Sequence, residues 1–511
     1  MREHHVVVVG AGVAGLAAAI DLARQGMRVT VVERAAAPGG KLRQVIAGGA
    51  PVDSGPTVFT MRWVFEALFA DAGASLAAEL PISPLSVLAR HAWGAGGRLD
   101  LHADPARSAD AIGAFAGPDE ARRFLAFCAQ ARRVYDALEG PYIRASRPSP
   151  LDMVRDLGPR GLATLTALGP FRTLWGALAG RFRDPRLRQL FGRYATYCGA
   201  SPFEAPATLM LVAQVEMDGV WAIDGGMIAL ANALARLAER HGATLRFGAH
   251  CERIVVAAGR ARGIELAGGE RIEADSVVFN GDAQALATGL LGDAVRSATA
   301  VMQKSERSLS ALTWSIRAPT RGFPLVRHNV FFDDDYASEF TDVFRHRRLP
   351  SRPTVYVCAQ DRDDDAGDRG AERLLCLVNA PASGDAHPFD PSEIEQCEHR
   401  AFSLLARCGL TLDRTQSASV ATSPADFERL FPATGGALYG RASHGWMTPF
   451  RRPSSRSRLP GLWLAGGSVH PGPGLPMATL SGRLAAATLM ADLGSTRRSS
   501  RVAISGGMST R

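Results

Sequence analysis

Six residues near the start of the chain, GAGVAG at positions 10–15, restrict the fold more than any other feature of the sequence. They follow Val6–Val9, a short β-branched run that reads as a strand. They open a helical pattern from about Ala14 to Gln25, which gives way to a second strand over Arg28–Glu33. Gly10 permits a tight turn, Gly12 lets a pyrophosphate approach the backbone, and Gly15 lets the helix pack on the strand, while the helix N-terminus favours the phosphate charge. Glu33 ends the second strand 23 residues after Gly10, where a carboxylate accepts the ribose hydroxyls of an adenosine. The fold class is therefore α/β, built on a Rossmann-like nucleotide-binding unit, and the nucleotide is NAD, NADP or FAD. Glu33 repels a 2′-phosphate, which disfavours NADP although Arg34 follows. PGGKLR at 38–43, with Gly40 and Lys41, suits a loop lying against a larger cofactor, and VDSGPTVFTM at 52–61 adds Gly55, Pro56 and Thr57. Both point to FAD. Lys41 and Arg43 also read as solvated loop charges.

The chain has 511 residues, which favours two structural units over one. Its net charge of +8 suits an anionic partner or plain solubility. No nucleic-acid motif appears, so nucleic acid is not expected as a partner and a membrane surface is the better candidate. Seven cysteines without a close pair argue against a disulfide framework or a zinc site and for a reducing compartment. The apolar run Val6–Ile20 mimics a secretory signal, but its glycines have the explanation given above. No segment reaches the roughly 18 uncharged apolar residues of a spanning helix.

Along the chain, the opening unit is followed by a helical stretch from about Pro105 to Asp218. A helix over Ala229–His241 then leads into strands, and a second β-rich stretch over about Ser308–Ala380 contains TWSIR, NVFFD, TVYVC and LLCLVNA. Near the far end, LWLAGGSVHPGPGLPMATL reads as a strand, a Gly- and Pro-crowded loop and a helix start. The expected organisation is an FAD-binding domain from residues 1–85, 222–305 and 425–494, interleaved with a mixed α+β substrate domain. The latter comprises a helical part, 86–221, and a β-rich part, 306–424. Residues 495–511 lack core periodicity and are expected to be a disordered tail.

With these motifs, and with WAIDGGMIALANALARLAERHGA at 221–243, the chain resembles the flavin amine oxidase superfamily over roughly residues 5–493, and within it the phytoene desaturase type of carotenoid desaturase. PVDSGPTVFTMRWVFEALF, RLDLHADPARSADAIGAFAGP and RHNVFFDDDYASEF resemble most the 1-hydroxycarotenoid 3,4-desaturases of photosynthetic bacteria. The resemblance implies FAD, with the N-terminal glycines at its adenosine end and Gly466, Gly467, Pro476, Met477 and Ala478 beside the flavin ring. There the positive end of a helix would stabilise reduced, anionic flavin. It places Cys251, in HCERI, at the adenine through the main chain, where the family usually has a β-branched residue. Asn280 and Asp282, in FNGDA, match an Asn-Ala-Asp type segment of the family; they also read as a simple turn.

The implied activity is desaturation of an acyclic, 1-hydroxylated carotenoid at C3–C4, with oxygen or a quinone as electron acceptor. The implied location is cytoplasmic and peripheral on the inner, photosynthetic membrane. The rivals are a phytoene-type desaturase, an amine oxidase with a different pocket, and a non-catalytic lipid carrier resembling the GDP-dissociation inhibitors. No strong base is demanded, so no catalytic side chain is assigned; His470 in the flavin loop, Glu216 and Asp218 are the candidates. Phe171, Leu174, Trp175, Leu178 and Phe182 fall at helical spacing beside arginines, which reads either as an interfacial membrane helix or as a core-facing helix with a wet basic side. FFDDDY at 331–336 reads as a solvated turn and not a metal site, and Asp361–Arg373 as a charged surface loop.

Overall fold

The computed structural model describes residues 4–94, 97–167, 169, 171–362, 370–413 and 417–503. Three separated pieces of chain build one parallel sheet in the order Leu462–Leu464, Ser276–Phe279, His5–Val9, Arg28–Val32, Thr244–Arg246. A parallel sheet buries both faces, which is why its strands are short apolar runs and not alternating ones. Val6, Val7 and Val8 are fully buried. The helix Val13–Ala23 has every residue buried, flanked by Ile228–Arg240 and by the last helix, Leu475–Ala503.

The first and last helices approach unusually closely. A Cβ placed on Gly482 would lie 2.0 Å from the carbonyl oxygen of Ala14. Beside it, Arg483 donates to Asp21 Oδ2 at 3.0 Å and pairs with Asp71. The two ends of the chain are thus joined by a backbone contact flanked by a charge clamp. The last helix continues to Ala503, past the expected start of a tail at 495; Gly494 does not stop it, and residues 504–511 lie outside the described residues.

The second sheet has eight strands. Leu410–Leu412, Ser310–Gly322, Ala371–Ala380, Val355–Ala359, His328–Phe332, Val87–Trp93 and Gly97–His102 follow in order, with Ala418–Thr422 also paired to Ser310–Gly322. Four of these are the strands read from TWSIR, NVFFD, TVYVC and LLCLVNA. Val87–Trp93 and Gly97–His102, expected in the helical part, belong to this sheet, because Val87–Trp93 pairs in parallel with His328–Phe332. One face is covered by the amphipathic helix Pro391–Arg407, whose Cys397, Ala401, Leu404 and Leu405 meet Trp314, Leu374 and Cys376. The other face is free to wall a cavity.

The helices Pro105–Ala116, Pro118–Leu138, Pro150–Ala167, Leu174–Ala179, Pro185–Gly192 and Leu211–Met217 share an apolar core with the other face of this sheet. Here the membrane reading of the 171–182 stripe fails. Leu174, Leu178 and Phe182 are fully buried, and Phe182 stacks on Phe191 at 4.9 Å. Asp184 caps a new helix at Pro185, so the stripe divides between short helices and turns into the aromatic core, leaving only Phe171 exposed. The described ends of the 361–373 segment are not plain surface loop. Arg362 and Glu372 form a buried ion pair at 2.7 Å, while 363–369 lie outside the described residues. Asp333 of the acidic triplet is buried and paired with Arg352 and Arg407, at 2.6 and 3.0 Å.

Within a helix, alanine ordinarily stabilises relative to glycine by up to about 1 kcal/mol. At Gly482 the added methyl would meet backbone, so Gly482→Ala should instead destabilise by about 1–3 kcal/mol in chemical denaturation.

Candidate active site

Three glycine loops interlock at the carboxyl ends of the parallel strands. Gly10 has φ +102° and turns the chain from the first strand into its helix. At Gly15 a Cβ would fall 2.1 Å from the Gly10 carbonyl oxygen, so glycine there closes the turn onto its own helix. The second loop crosses the first: Gly39 N–H donates to the Ala11 carbonyl at 3.0 Å, and Gly40 lies against Gly12. The third, at 53–57, sits on the second. Ser54 N–H donates to the Arg43 carbonyl at 2.8 Å, and a Cβ on Gly55 would fall 1.8 Å from the Lys41 carbonyl oxygen. Asp53 is anchored from behind by Met227 N–H at 2.6 Å, where Gly226 leaves room for its carboxylate. That is the structural work of the WAIDGG segment.

Asn280, at the end of the strand Ser276–Phe279, joins these loops to the far end of the chain. Its Nδ2 donates to the Gly10 carbonyl at 3.1 Å and lies against Gly12 and Gly15. Its Oδ1 lies 3.1 Å from where a Gly466 Cβ would stand. Asp282 caps the helix Ala283–Ala287 by accepting from Gln284 N–H at 2.9 Å. The FNGDA segment is thus a clamp and a cap, not only a turn.

All of this borders one cavity of about 1360 Å³. Pockets for single small ligands run to about 1,000 Å³, so there is room for an extended cofactor and part of a long substrate. Of the residues singled out from the sequence, Gly10, Gly12, Glu33, Arg34, Gly40, Lys41, Gly55, Pro56, Thr57, Cys251, Gly466, Gly467, Pro476, Met477 and Ala478 all line it. Gly15 does not; it packs beneath the turn. The Glu33 carboxylate is held by Ala11 N–H at 2.8 Å and Ala35 N–H at 2.9 Å, which fixes it against the glycine turn. Cys251 opens the strand Cys251–Ala257, its thiol held to the Arg253 carbonyl at 3.6 Å. Lys41 is not a solvated charge: its Nζ is buried, donates to the Leu438 carbonyl at 2.5 Å, and burial lowers its pKa. The N-termini of the first and last helices meet the cavity from opposite ends of the sequence.

The three catalytic candidates separate. Glu216 lines the cavity, accepts from Tyr194 Oη at 2.8 Å, and has its pKa raised by burial. Asp218 lies off the cavity, accepting from Gln214 at 2.6 Å and facing Arg132 at 3.5 Å. His470 also lies off it. Its Nε2 meets the Ala145 carbonyl at 2.8 Å, its ring abuts Tyr142, and burial pushes its pKa down to about 4. A neutral imidazole tied to a carbonyl is a structural hydrogen bond between the 466–474 loop and the helical region.

Besides the glycine loops, the cavity has an apolar lining from the mixed sheet and the helices that includes Leu375, Leu377, Val212, Met153, Leu157 and Leu162. The model of flavin-containing amine oxidoreductases matches residues 13–490. The chain belongs to that family. It is 66% identical to a hydroxyneurosporene desaturase of Rubrivivax gelatinosus, over 100% of this chain and 98% of the relative. It is 46% identical to a hydroxyneurosporene desaturase of Cereibacter sphaeroides, over 96% and 99%. Among solved structures, a triple mutant of putrescine oxidase aligns with TM-score 0.61 and 17% identity over 96% of this chain and 99% of that one, a likeness of fold. The chain is thus an FAD-dependent oxidoreductase, and its glycine-lined cradle with two helix N-termini has the form that an extended dinucleotide requires.

Two outcomes follow from this geometry. Asn280→Ala removes the bond to Gly10 and should weaken FAD retention about tenfold with the circular dichroism unchanged, measured by flavin release on dilution. Because the folded state holds the Glu216 proton more tightly than the unfolded chain does, its contribution to stability is fully present below the ordinary carboxylate range and is lost as pH rises through the raised folded value. Glu216→Gln should flatten that fall in melting temperature with rising pH.

Proposed function

We propose that the protein is an FAD-dependent carotenoid desaturase that introduces the C3–C4 double bond into 1-hydroxylated acyclic carotenoids such as 1-hydroxyneurosporene. The observation that carries this reading is the end-to-end 66% identity to a hydroxyneurosporene desaturase, in a chain whose cofactor cradle runs directly into an apolar tunnel. Desaturation removes a hydride from one carbon and a proton from its neighbour. FAD, when bound, supplies the hydride acceptor. The polyene spreads the developing positive charge, so no strong base is needed. The protein's tasks are to orient the scissile C–H bond and to exclude water. We assign the 10–15, 38–43, 53–57 and 251 residues to holding the adenosine, pyrophosphate and ribityl parts, and 466–478 to the flavin end. Electrons leave to oxygen or to a quinone.

A carotenoid resides in a bilayer, and we place the entrance at the end of the tunnel lined by Pro150–Ala167. Among the described residues, no helix is long and apolar enough to cross a membrane. Leu151, Val154, Leu162, Phe171 and Trp446 nevertheless stand exposed around that mouth, with Phe171 and Trp446 in edge contact at 5.9 Å. Arg147, Arg155, Arg160 and Arg451 are exposed beside them. Apolar side chains ringed by arginines suit a surface lying on anionic lipid, cytoplasmic-side and peripheral. Gly158 and Pro159 break the helix in its middle, which lets both halves present apolar residues to one mouth.

Expression in a host accumulating 1-hydroxyneurosporene should yield a red-shifted product one double bond longer, with neurosporene and phytoene hosts unchanged. Conversion of phytoene would instead make it a phytoene-type enzyme. Leu151→Glu with Phe171→Glu should cut co-sedimentation with anionic phospholipid vesicles about tenfold or more while FAD content is retained; undiminished binding would move the docking face elsewhere.

A further inference from the structure

Four arginines are buried in the described structure: Arg193, Arg307, Arg362 and Arg452. Three are answered by the protein itself. Arg307 pairs with Asp385 at 2.7 Å, Arg362 with Glu372 at 2.7 Å, and Arg452 donates to the carbonyls of Tyr439 and Arg441 at 3.1 and 2.7 Å. Arg193 is not. It is 7% exposed, lines the cavity, shares its surroundings with the buried carboxylates of Glu216 and Glu339 without an ion pair to either, and leaves its buried Nε without an acceptor. A buried donor without an acceptor is expensive, so an acceptor is expected from whatever fills the cavity.

Its surroundings say where along the substrate that acceptor stands. The guanidinium lies 5.8 Å from the centre of the Tyr356 ring, on the cavity face of the mixed sheet. Antiparallel register sets Thr313, Leu377 and Tyr356 in one row across three strands, all facing the cavity. Tyr356 Oη meets Thr57 Oγ1 and His328 Nδ1, each at 2.7 Å. Thr57 directly follows Gly55 and Pro56 of the cofactor cradle, so this polar spot marks the junction between cradle and tunnel. Leu375 and Leu377 on the same sheet, and Val212 and Val215 on the helix Leu211–Met217, are apolar lining residues.

A hydrocarbon polyene cannot accept a hydrogen bond, but a C1 hydroxyl can, and its oxygen is only three bonds from C3. A group that recognises it must therefore lie beside the reacting bond, at the cofactor end of the tunnel. Resting on the desaturase reading above, we propose that Arg193, backed by the Tyr356 ring, donates to the C1 hydroxyl and thereby sets both the requirement for a hydroxylated end and the register of C3–C4 against the cofactor. A site built to bond a hydroxyl rejects the analogue without one, because its own donor is then left unpaired.

The test compares 1-hydroxyneurosporene with neurosporene on the FAD-loaded enzyme, by kcat/KM and by dissociation constants from quenching of tryptophan fluorescence. Arg193→Met should lower the preference for the hydroxylated carotenoid about 100-fold in both measures, chiefly by weakening that substrate, with neurosporene unchanged or improved. Where the methionine variant loses FAD, Arg193→Gln decides: a preference reduced at least about tenfold supports the assignment. A variant that keeps the wild-type preference, or that loses both substrates equally, overturns it while leaving the desaturase reading intact. Wild-type enzyme inert on both carotenoids would instead overturn the desaturase reading, and this assignment with it.

Discussion

The amide of Asn280 is the joint on which the cofactor cradle depends. It ends a strand that lies between His5–Val9 and Leu462–Leu464, so it borders both termini of the chain at once. One side of the amide holds the Gly10 carbonyl; the other abuts Gly466. Remove it and the N-terminal turn and C-terminal loop lose their common reference, although each remains in its own strand–helix unit. The close pass of Gly482 over Ala14 serves the same end from the far side of the sheet, and both contacts use glycine because backbone must approach backbone. In the assignment proposed above, the two ends of an extended cofactor are met by loops more than 450 residues apart in sequence, which is why this joint matters.

From that joint outward the cavity changes character in a single step. The cradle is made of backbone N–H groups, helix ends and a few charged side chains; the tunnel is made of one face of a mixed sheet and the inner faces of helices. The pleat of the sheet explains how one set of strands serves two environments. Alternate residues of Ser310–Gly322 and Ala371–Ala380 point either to the Pro391–Arg407 helix or to the cavity. Trp314 and Cys376 go one way, Thr313, Leu375 and Leu377 the other. A shift of one residue in register would exchange wall and core, so the apolar core beneath the helix also fixes the chemistry of the tunnel.

What was legible in the sequence was local. The strand, glycine turn, helix and acidic residue of residues 6–33 lie within one supersecondary unit, and each glycine has a steric reason that spacing alone reveals. The strands of the β-rich stretch were legible for the same reason, as alternating or continuous apolar runs. The clamping role of Asn280, and the roles of Gly482 and Arg193, were not, because their meaning lies in partners about 160 to 470 positions away: Gly10, Ala14 and Tyr356. The 171–182 stripe shows the limit of periodicity. It correctly marks an apolar face, but the direction of that face is set by Phe127 and Phe191, which no helical wheel contains. Sequence position puts His470 in the 466–474 loop, whereas its side chain turns away to the Ala145 carbonyl.

The tunnel also orders the reaction along the substrate. In the reading proposed above, a carotenoid enters near the exposed Leu151 and Phe171 and stops at the polar Arg193 and Tyr356. A carotenoid entering from a bilayer leads with one end, and the length of the molecule trails toward the lipid. With a hydroxyl as the leading group, desolvating it costs about 1–3 kcal/mol unless a donor waits inside. Arg193 offsets that cost only at the innermost position, so the penalty and its relief together act as a depth gauge. Selectivity for the end group and selectivity for the bond then share one physical origin: a chain that lacks the hydroxyl has no reason to stop at the depth where C3–C4 meets the cofactor.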